Sequence, residues 1–355
     1  MGDKSNIEWT DATWNPVRGC SLVSAGCTNC YAMRVAHRFS GDEQPYAGLT
    51  KMTSHGPVWT GAVTLHPELL DQPLRWKRPR RIFVNSMSDL FHDNVPAYFI
   101  DQVFAVMLAC AALDNRRHTF QILTKRPARM HAYLTSRTPA EHLQAWAKAG
   151  DGLVQLDNAD ELFSEHVERE TSFDWDDNGR NSSGSEYKPW GYLSRLWPLP
   201  NVQLGVSVED QPTADERIVE LLQTPAAVRW ISAEPLLGPI DLLPRLHRHP
   251  IGCEGIGIYD WTERLDWVVV GGESGPRARP MHPDWVRSLR DQCNATGVPF
   301  FFKQWGEWLP VETVEESRGH DLLHYFDDVD MTFVRQGKKL AGRELDARTW
   351  SEYPT

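Results

Sequence analysis

The segments RIFVNS (residues 81–86) and TFQILT (residues 119–124) enclose a helical pattern, and this unit decides the fold. Pro96 is placed at a helix start, and apolar residues follow it at helical spacing, namely Ile100, Val103, Phe104, Met107 and Ala111. Short β-branched or aromatic runs separated by helical signals are typical of parallel strands joined by helices. The unit therefore predicts a β-α-β arrangement.

The same pattern recurs along the chain. Four further runs are VQLGVSV (202–208), VRWISA (228–233), WVVVGG (267–272) and PFFFKQ (299–304). Before the last run, Pro283 opens a second helix, Cys293 lies on its apolar stripe and Gly297 caps it. The fold class predicted from this pattern is α/β with a parallel sheet, either a barrel or an open sheet, with inserted loops and a C-terminal extension. A candidate first strand lies within residues 7–17, with residues 61–65 as an alternative first strand or an added hairpin.

Polar residues follow every one of the six runs. They are Asn85, Ser86, Ser88 and Asp89, then Thr124, Lys125 and Arg126, then Ser207, Glu209, Ser232, Glu234, Glu273, Ser274, Lys303 and Gln304. Parallel strands bind ligands at their carboxyl ends. We therefore expect these six strand ends to converge on one site.

The segment CSLVSAGCTNCY (residues 20–31) carries the most specific chemistry. It places Cys20, Cys27 and Cys30 at the spacing C-x6-C-x2-C, followed by Tyr31. Three close thiols in a chain whose other cysteines lie far apart indicate metal ligation or a reactive dithiol rather than a disulfide framework. Thiolates select iron–sulfur clusters or zinc, and three ligands leave one iron of a four-iron cluster open.

This loop resembles the cluster loop of radical S-adenosylmethionine (SAM) enzymes, whose usual spacing is C-x3-C-x2-C with a nearby aromatic residue. Together with further segments, it resembles a phage-associated, radical-SAM-like family of uncertain function with a three-cysteine motif. The segments are NIEWTDATWNPVRGC, NSMSDLFHD, LTKRP, LGVSVED, SAEPLLGPID, GGESGPRARPMHPDW and FFKQWGEW. The likeness covers most of the chain outside about residues 136–200.

The resemblance implies a partial (β/α)6-type, TIM-like barrel of the radical SAM kind, with a [4Fe–4S] cluster held by Cys20, Cys27 and Cys30. The open iron would be chelated by SAM, and reductive cleavage of SAM would give a 5′-deoxyadenosyl radical that abstracts hydrogen from a substrate. A reductant protein such as a flavodoxin or ferredoxin is the implied partner. By order along the chain, we expect residues 85–89, with Ser88 or Asp89 as acceptors, to meet the amino group of SAM, and Glu209 to hold its ribose.

Lys125 and Arg126 are two cations at one strand end and suit an anionic group. That group is either the carboxylate of SAM or a substrate phosphate. In the second case, the basic run RWKRPRR (75–81) and the tryptophans make a nucleotide or nucleic-acid base the expected substrate, although the same run also fits a solvated loop.

Two other functions fit parts of the pattern. A structural zinc site completed by His37 would give a zinc-binding nucleic-acid interaction protein, because Cys3His is a legitimate zinc set. Carboxylates at strand ends, Glu209, Glu234 and Glu273, would suit a metal-independent barrel hydrolase. The Gly-rich GGESG (271–275) would let a ligand approach the backbone closely.

Length and charge bound the function. The 355 residues suffice for one large barrel-type domain or two ordinary ones. A net charge of −11 requires a local basic patch for any nucleic-acid partner. We find no signal peptide and no apolar run long enough to span a bilayer, so we expect a cytoplasmic protein without a membrane partner. Cys110 lies in an apolar run and is expected in the core.

The domain prediction is a partial barrel over residues 1–305 and a C-terminal extension over residues 306–355, with a hairpin around residues 337–342. Two inserts interrupt the barrel, an acidic one at about 136–200 and a second at about 243–265. Within the first, residues 151–188 contain the run DWDDNGRNSSGSE (174–186), and this composition predicts a mobile excursion or lid. In the second, His247, His249 and Cys253 lack an obvious fourth ligand and fit an ordinary loop.

Overall fold

Seven parallel strands form one sheet that curls into a half-barrel. In spatial order they are β1 (Ala12–Trp14), β6 (Arg81–Val84), β7 (Thr119–Thr124), β8 (Val202–Val208), β9 (Val228–Ala233), β10 (Trp267–Gly271) and β11 (Phe300–Gln304). Every neighbouring pair is parallel, so all seven carboxyl ends lie at one edge. All six predicted runs are strands of this sheet.

The computed structural model describes residues 4–113, 118–158, 160–171, 196–246, 264–311, 323–326 and 332–354. Its remaining strands are β2 (Val17–Arg18), β3 (Thr50–Thr53), β4 (Gly56–Trp59), β5 (Thr64–Leu65), β12 (Trp308–Val311), β13 (Leu323–Tyr325), β14 (Thr332–Arg335), β15 (Glu344–Leu345) and β16 (Arg348–Thr349). Its helices are α1 (Tyr31–Arg38), α2 (Ala97–Ala112), α3 (Pro127–Thr135), α4 (Pro139–Gly150), α5 (Phe163–Thr171), α6 (Gln211–Gln223), α7 (Leu243–Leu246), α8 (Pro283–Thr296) and α9 (Lys338–Ala341).

The first strand of the sheet lies within residues 7–17, as predicted. This strand, β1, pairs with β6 and brings the strand number to seven, one more than the predicted barrel of six. The alternative segment at residues 61–65 contributes β5, which pairs with β2 outside the main sheet. The added edge strand matters for the site because it leads directly into the cysteine loop.

Both helices predicted from proline positions form. Pro96 is the N-cap of α2. Helix α8 begins at Pro283, and Gly297, whose φ of 68° is left-handed, caps its C-terminus. Cys110 and Cys293 are buried, as expected of core residues. Helix α2 is buried on nearly all sides rather than on one face, because α4 packs against it.

The first insert is partly core. Trp146 on α4 stacks on Phe104 at 4.7 Å between ring centroids, and Phe163 on α5 is fully buried. The interpretation of residues 151–188 as a mobile excursion is therefore wrong for α5, because Phe163 belongs to the hydrophobic core. The acidic run at 174–186 lies outside the described residues.

The C-terminal extension packs against the barrel. The strands β12, β14 and β13 form an antiparallel sheet, and Trp267 donates its indole N–H to the carbonyl of Glu352. The hairpin predicted at residues 337–342 is wrong, since that stretch forms α9 between two glycines with positive φ. The antiparallel pair is β15–β16, joined by Asp346 and Ala347, both with positive φ as a type I′ turn requires.

No helix among the described residues is long and apolar enough to cross a membrane.

Candidate functional site

A cavity of about 200 Å³ opens at the carboxyl edge of the sheet. Its walls include residues from all six predicted strand ends, namely Asn85, Ser86, Ser88, Asp89, Thr124, Lys125, Arg126, Ser207, Ser232, Glu234, Glu273, Ser274 and Lys303. The predicted convergence is confirmed. Apolar side chains also line the cavity, among them Ile7, Trp9, Trp59, Phe83 and Leu123.

The three loop cysteines line the same cavity. Cys20 follows β2, where Gly19 forms a parallel bridge to Ser88, while Cys27 ends a short 3₁₀ helix and Cys30 is the N-cap of α1. All three are partly exposed and none forms a disulfide. The chain therefore presents three thiols from one loop to one enclosed space.

Two of these thiols have raised pKa values when no metal is bound. Burial, reinforced by the nearby Asp89 carboxylate, raises the pKa of Cys20 to about 12. Burial also raises the pKa of Cys30, although the backbone N–H groups of Ala32 and Met33 at the start of α1 act in the opposite direction. Ligation of a metal at these positions would therefore release protons.

The loop rests on Glu209. Ser24 donates its hydroxyl to Glu209 Oε1 at 2.9 Å, and a Cβ on Gly26 would lie 2.3 Å from the same oxygen. Only glycine fits this contact without a shift of the loop or of the carboxylate. The anchor fixes the segment between Cys20 and Cys27 against the barrel.

Glu209 itself is fully buried between two cations. Lys125 Nζ lies 2.6 Å from Oε1, and Arg217 Nη1 lies 3.2 Å from Oε2. Burial alone would raise the pKa of Glu209, but Lys125 and Arg217 outweigh it and hold the pKa below its ordinary value. Glu209 is not among the described residues that line the cavity, so this geometry gives it a structural role in place of the predicted ribose contact.

The Asp89 carboxylate is also fully hydrogen-bonded within the protein. Its two carboxylate oxygens accept four hydrogen bonds, from the Phe91 and Lys125 backbone N–H groups, the Thr124 hydroxyl and Arg126 Nη1. Four is about the capacity of a carboxylate, so the predicted contact to an amino group has no room. Asp89 instead ties the end of β6 to the end of β7.

The predicted cationic pair is neutralised. Arg126 contacts Asp89 at 2.9 Å and donates to the Ser21 hydroxyl at 2.6 Å, while Lys125 pairs with Glu209 and contacts Ser207. Both line the cavity, but each already has a carboxylate partner, which weakens the argument for an anionic ligand. Ser88 donates its hydroxyl to the Val17 carbonyl and keeps its acceptor lone pairs.

The other two strand-end carboxylates have their own cations. Glu234 accepts from Lys303 at 2.6 Å and from Gln304 at 3.1 Å, and Glu273 accepts from Arg279 at 2.6 Å and from Asn29 at 3.0 Å. A general acid needs a carboxyl whose pKa is raised, whereas Glu209 has a lowered one. The arrangement does not favour paired-carboxylate hydrolysis.

The predicted fourth zinc ligand is not with the thiols. His37 Nδ1 lies 3.0 Å from the Thr50 hydroxyl, and His37 is not one of the described residues that line the cavity. Across the described ranges, no group of three or more His, Cys, Asp or Glu side chains is arranged to hold a metal ion. His247, His249 and Cys253 lie outside the described residues.

A family model with the description "Protein of unknown function (DUF5131)" matches residues 4–354. The chain belongs to this family. Neither the curated proteins nor the solved structures give a significant match.

The Gly-rich segment of this DUF5131 protein is a tight backbone crossing. A Cβ on Gly272 would lie 1.9 Å from the Trp305 carbonyl oxygen, and the Gly275 N–H donates to Glu307 Oε1 at 2.7 Å. Arg34 on α1 donates to the Ser274 carbonyl at 2.9 Å. The segment thus joins α1 and the C-terminal extension at the rim of the cavity.

The basic run at residues 75–81 lies away from the site. It precedes β6 at the amino edge of the sheet, where Arg81 pairs with Asp11 and Arg80 stacks over Trp76 at 4.7 Å. The predicted combination of this run with Lys125 and Arg126 at one site is therefore not formed.

Sequence reasoning missed the residues that support the loop, chiefly Ser24, Gly26 and Arg217. A signal for Arg217 exists, because it shares a buried helical stripe on α6 with Ala214, Ile218 and Leu221. An arginine inside an apolar stripe needs a buried acceptor. Ser24 and Gly26 carry no comparable signal.

Proposed function

We propose that this DUF5131 protein is a radical SAM enzyme with a partial barrel of the radical SAM kind. The observation that carries the proposal is the meeting of three free thiols from one loop in one cavity at the carboxyl edge of a parallel half-barrel. The resemblance of the loop to the radical SAM pattern supports the choice of cofactor.

The donor set fits an iron–sulfur cluster better than a single ion. In a cubane cluster each cysteine binds a different iron, so the thiolates surround the cluster and do not converge on one point. A single zinc ion needs four donors around one centre, which the described residues do not provide at this loop. Cys20, Cys27 and Cys30 would hold the cluster.

When bound, the cluster and SAM together supply reductive cleavage of a carbon–sulfur bond to methionine and a 5′-deoxyadenosyl radical, with the electron drawn from a reductant protein such as a flavodoxin or ferredoxin. The chain's own residues position the cysteine loop and keep water away from the cavity. Glu209 fixes the cysteine loop, and Ile7, Phe83 and Leu123 keep the wall apolar. Tyr31, which donates its hydroxyl to the Ser86 carbonyl, lies directly beside Cys30.

Glu234 is the acceptor best placed to receive the amino group of SAM. It lines the cavity, and beyond Lys303 and Gln304 its Oε2 retains acceptor capacity that Asp89 lacks. This assignment moves the amino-group contact from the end of β6 to the end of β9.

The test is SAM cleavage by the anaerobically reconstituted, dithionite-reduced protein. We expect 5′-deoxyadenosine and methionine in equal amounts from the wild-type chain, and neither from Cys27→Ala. Cys293→Ala is the matched control, because it removes a thiol on the buried face of α8 that is not among the described residues lining the cavity. Wild-type protein that carries the cluster yet leaves SAM intact would overturn the proposal.

A further inference from the structure

Trp9 carries an unsatisfied hydrogen-bond donor within the wall of the cavity. The side chain is 2% exposed, lines the cavity, and its indole N–H has no hydrogen-bond partner among the described residues. The ring is fixed by Phe83, Trp230 and Trp267, at centroid distances of 4.7, 5.1 and 6.2 Å. Packing on three sides leaves the N–H little freedom to find another partner.

Asn85 carries a second unsatisfied hydrogen-bond donor within the same wall. It is also 2% exposed and lines the same cavity, and its Oδ1 accepts the Val17 N–H at 3.3 Å. That bond assigns the oxygen and leaves the Nδ2 amide group, which has no partner within the described part of the chain. Its φ of 59° is one that few residues other than Asn, Asp and Gly adopt.

Both groups are donors and need a hydrogen-bond acceptor. Trp has a donor and no acceptor, and the Asn85 oxygen is already used, so only an acceptor atom can satisfy either group. A buried donor left unpaired loses its hydrogen bonds to water without replacement, which destabilises the folded protein. Two such donors in one wall indicate a ligand with at least two acceptor atoms.

The charges of the wall indicate that this ligand is neutral. Its three cations, Lys125, Arg126 and Lys303, lie 2.6–2.9 Å from the carboxylates of Glu209, Asp89 and Glu234 respectively. A phosphate here would have to break one of these pairs. The apolar residues around Trp9 favour a flat ring, which can stack on aromatic faces.

We propose that Trp9 Nε1–H and Asn85 Nδ2–H bind a neutral, flat heterocycle through two of its acceptor atoms, the chemistry of a nucleobase. The proposal rests on the proposed function, since it uses the same cavity. Two sources share this chemistry, the adenine of SAM and a base of the substrate.

The experiment is calorimetric titration of the full-length protein with four probes. Thymidine carries two carbonyl acceptors, and its difluorotoluene isostere has the same shape without them. Adenosine represents the cofactor, and thymidine 5′-monophosphate adds a charge. The iron content of every preparation is measured beside the titration.

The variants remove one donor each. Trp9→Phe keeps an aromatic ring without the N–H, and Asn85→Asp keeps the oxygen that accepts from Val17 and tolerates the same φ. Trp230→Phe is the matched control, because Trp230 belongs to the same aromatic cluster but is not among the described residues that line the cavity. Each lost hydrogen bond is expected to weaken binding about three- to tenfold.

Weaker binding of thymidine in both donor variants, with no change in Trp230→Phe and poor binding of the isostere, would support a substrate base. The same pattern with adenosine alone would support the cofactor's adenine. Unchanged affinities for both nucleosides in Trp9→Phe and Asn85→Asp, or tighter binding of the monophosphate than of thymidine, would overturn the inference. Since the probes need no cluster, donor-dependent nucleoside binding by a protein that leaves SAM intact after reconstitution would remove the proposed function alone.

Discussion

Each edge of the parallel sheet carries a pair of oppositely charged side chains, which is exposed at the amino edge and largely buried at the carboxyl edge. At the amino edge, Arg81 and Asp11 lie 2.9 Å apart with side chains 35% and 42% exposed. At the carboxyl edge, Lys125 and Glu209 lie 2.6 Å apart with side chains 18% and 1% exposed. The strands are shared, so the difference comes from what covers each edge.

Burial of charge costs several kcal/mol for each ion, and replacement by apolar residues is often neutral or stabilising. A chain that keeps Glu209, Lys125 and Arg217 together under a cysteine loop therefore uses them for placement rather than for stability alone. The exposed pair at the amino edge, Arg81 and Asp11, supports no such loop. The comparison predicts that equivalent changes have unequal effects at the two edges.

The largest effect is expected from Glu209→Ala compared with Asp11→Ala. Loss of Glu209 leaves Lys125 and Arg217 without their carboxylate, at a cost of about 3–5 kcal/mol in the free energy of unfolding. Loss of Asp11 breaks a solvent-exposed pair, worth about 0–1 kcal/mol. Urea denaturation of both variants measures the difference, and equal losses would contradict the comparison.

The next effect concerns the loop itself. Gly26→Ala places a Cβ against Glu209 Oε1 and is expected to cost about 1–3 kcal/mol and to lower iron binding at the loop. Gly152→Ala is the matched control, since no atom lies within 4 Å of its added Cβ. Iron retention equal to that of the control would show that the loop is not seated on Glu209.

A smaller effect is expected from pH. Because the folded pKa of Glu209 is lowered, its stabilisation is fully present above the ordinary value of 4.5 and is lost as pH falls through the folded pKa. The stability advantage of wild type over Glu209→Gln should be constant above about pH 4.5 and shrink below it. Thermal denaturation from pH 7 to pH 3 checks this, and an advantage that grows on acidification would reverse the assigned sign.

The smallest effect is expected from Arg75→Ala in the basic run. Arg75 pairs with Asp71 at 3.2 Å, with side chains 62% and 41% exposed. Its loss should change the free energy of unfolding by less than about 0.5 kcal/mol and leave nucleoside binding as in wild type. A clear loss of nucleoside affinity in this variant would place the basic run in the site after all.

The strands were predictable because the sequences of buried parallel strands are nearly continuous apolar runs. TFQILT, VQLGVSV and VRWISA coincide with β7, β8 and β9 residue for residue. Strand β1 was harder to place, since only three residues, Ala12–Trp14, form the edge of the sheet. Convergence of polar strand ends followed from parallel topology alone.

The partners inside the site were not predictable. Lys125 and Glu209 are 84 residues apart in the chain, and Ser24 and Glu209 are 185 apart. Which cation meets which carboxylate depends on strand register and on the path of the loop, neither of which leaves a local signal. For that reason the sequence predicts ligand contacts for Asp89 and Glu209, although hydrogen bonds from the protein's own groups already fill both carboxylates.

The central claim is that three loop thiols hold a four-iron cluster, and iron analysis after anaerobic purification tests it most directly. We predict a brown wild-type protein with about four irons per chain, a colourless Cys27→Ala protein and a wild-type-like Cys293→Ala protein. A full cluster in Cys27→Ala, or a colourless wild type with about one zinc per chain, would contradict the account.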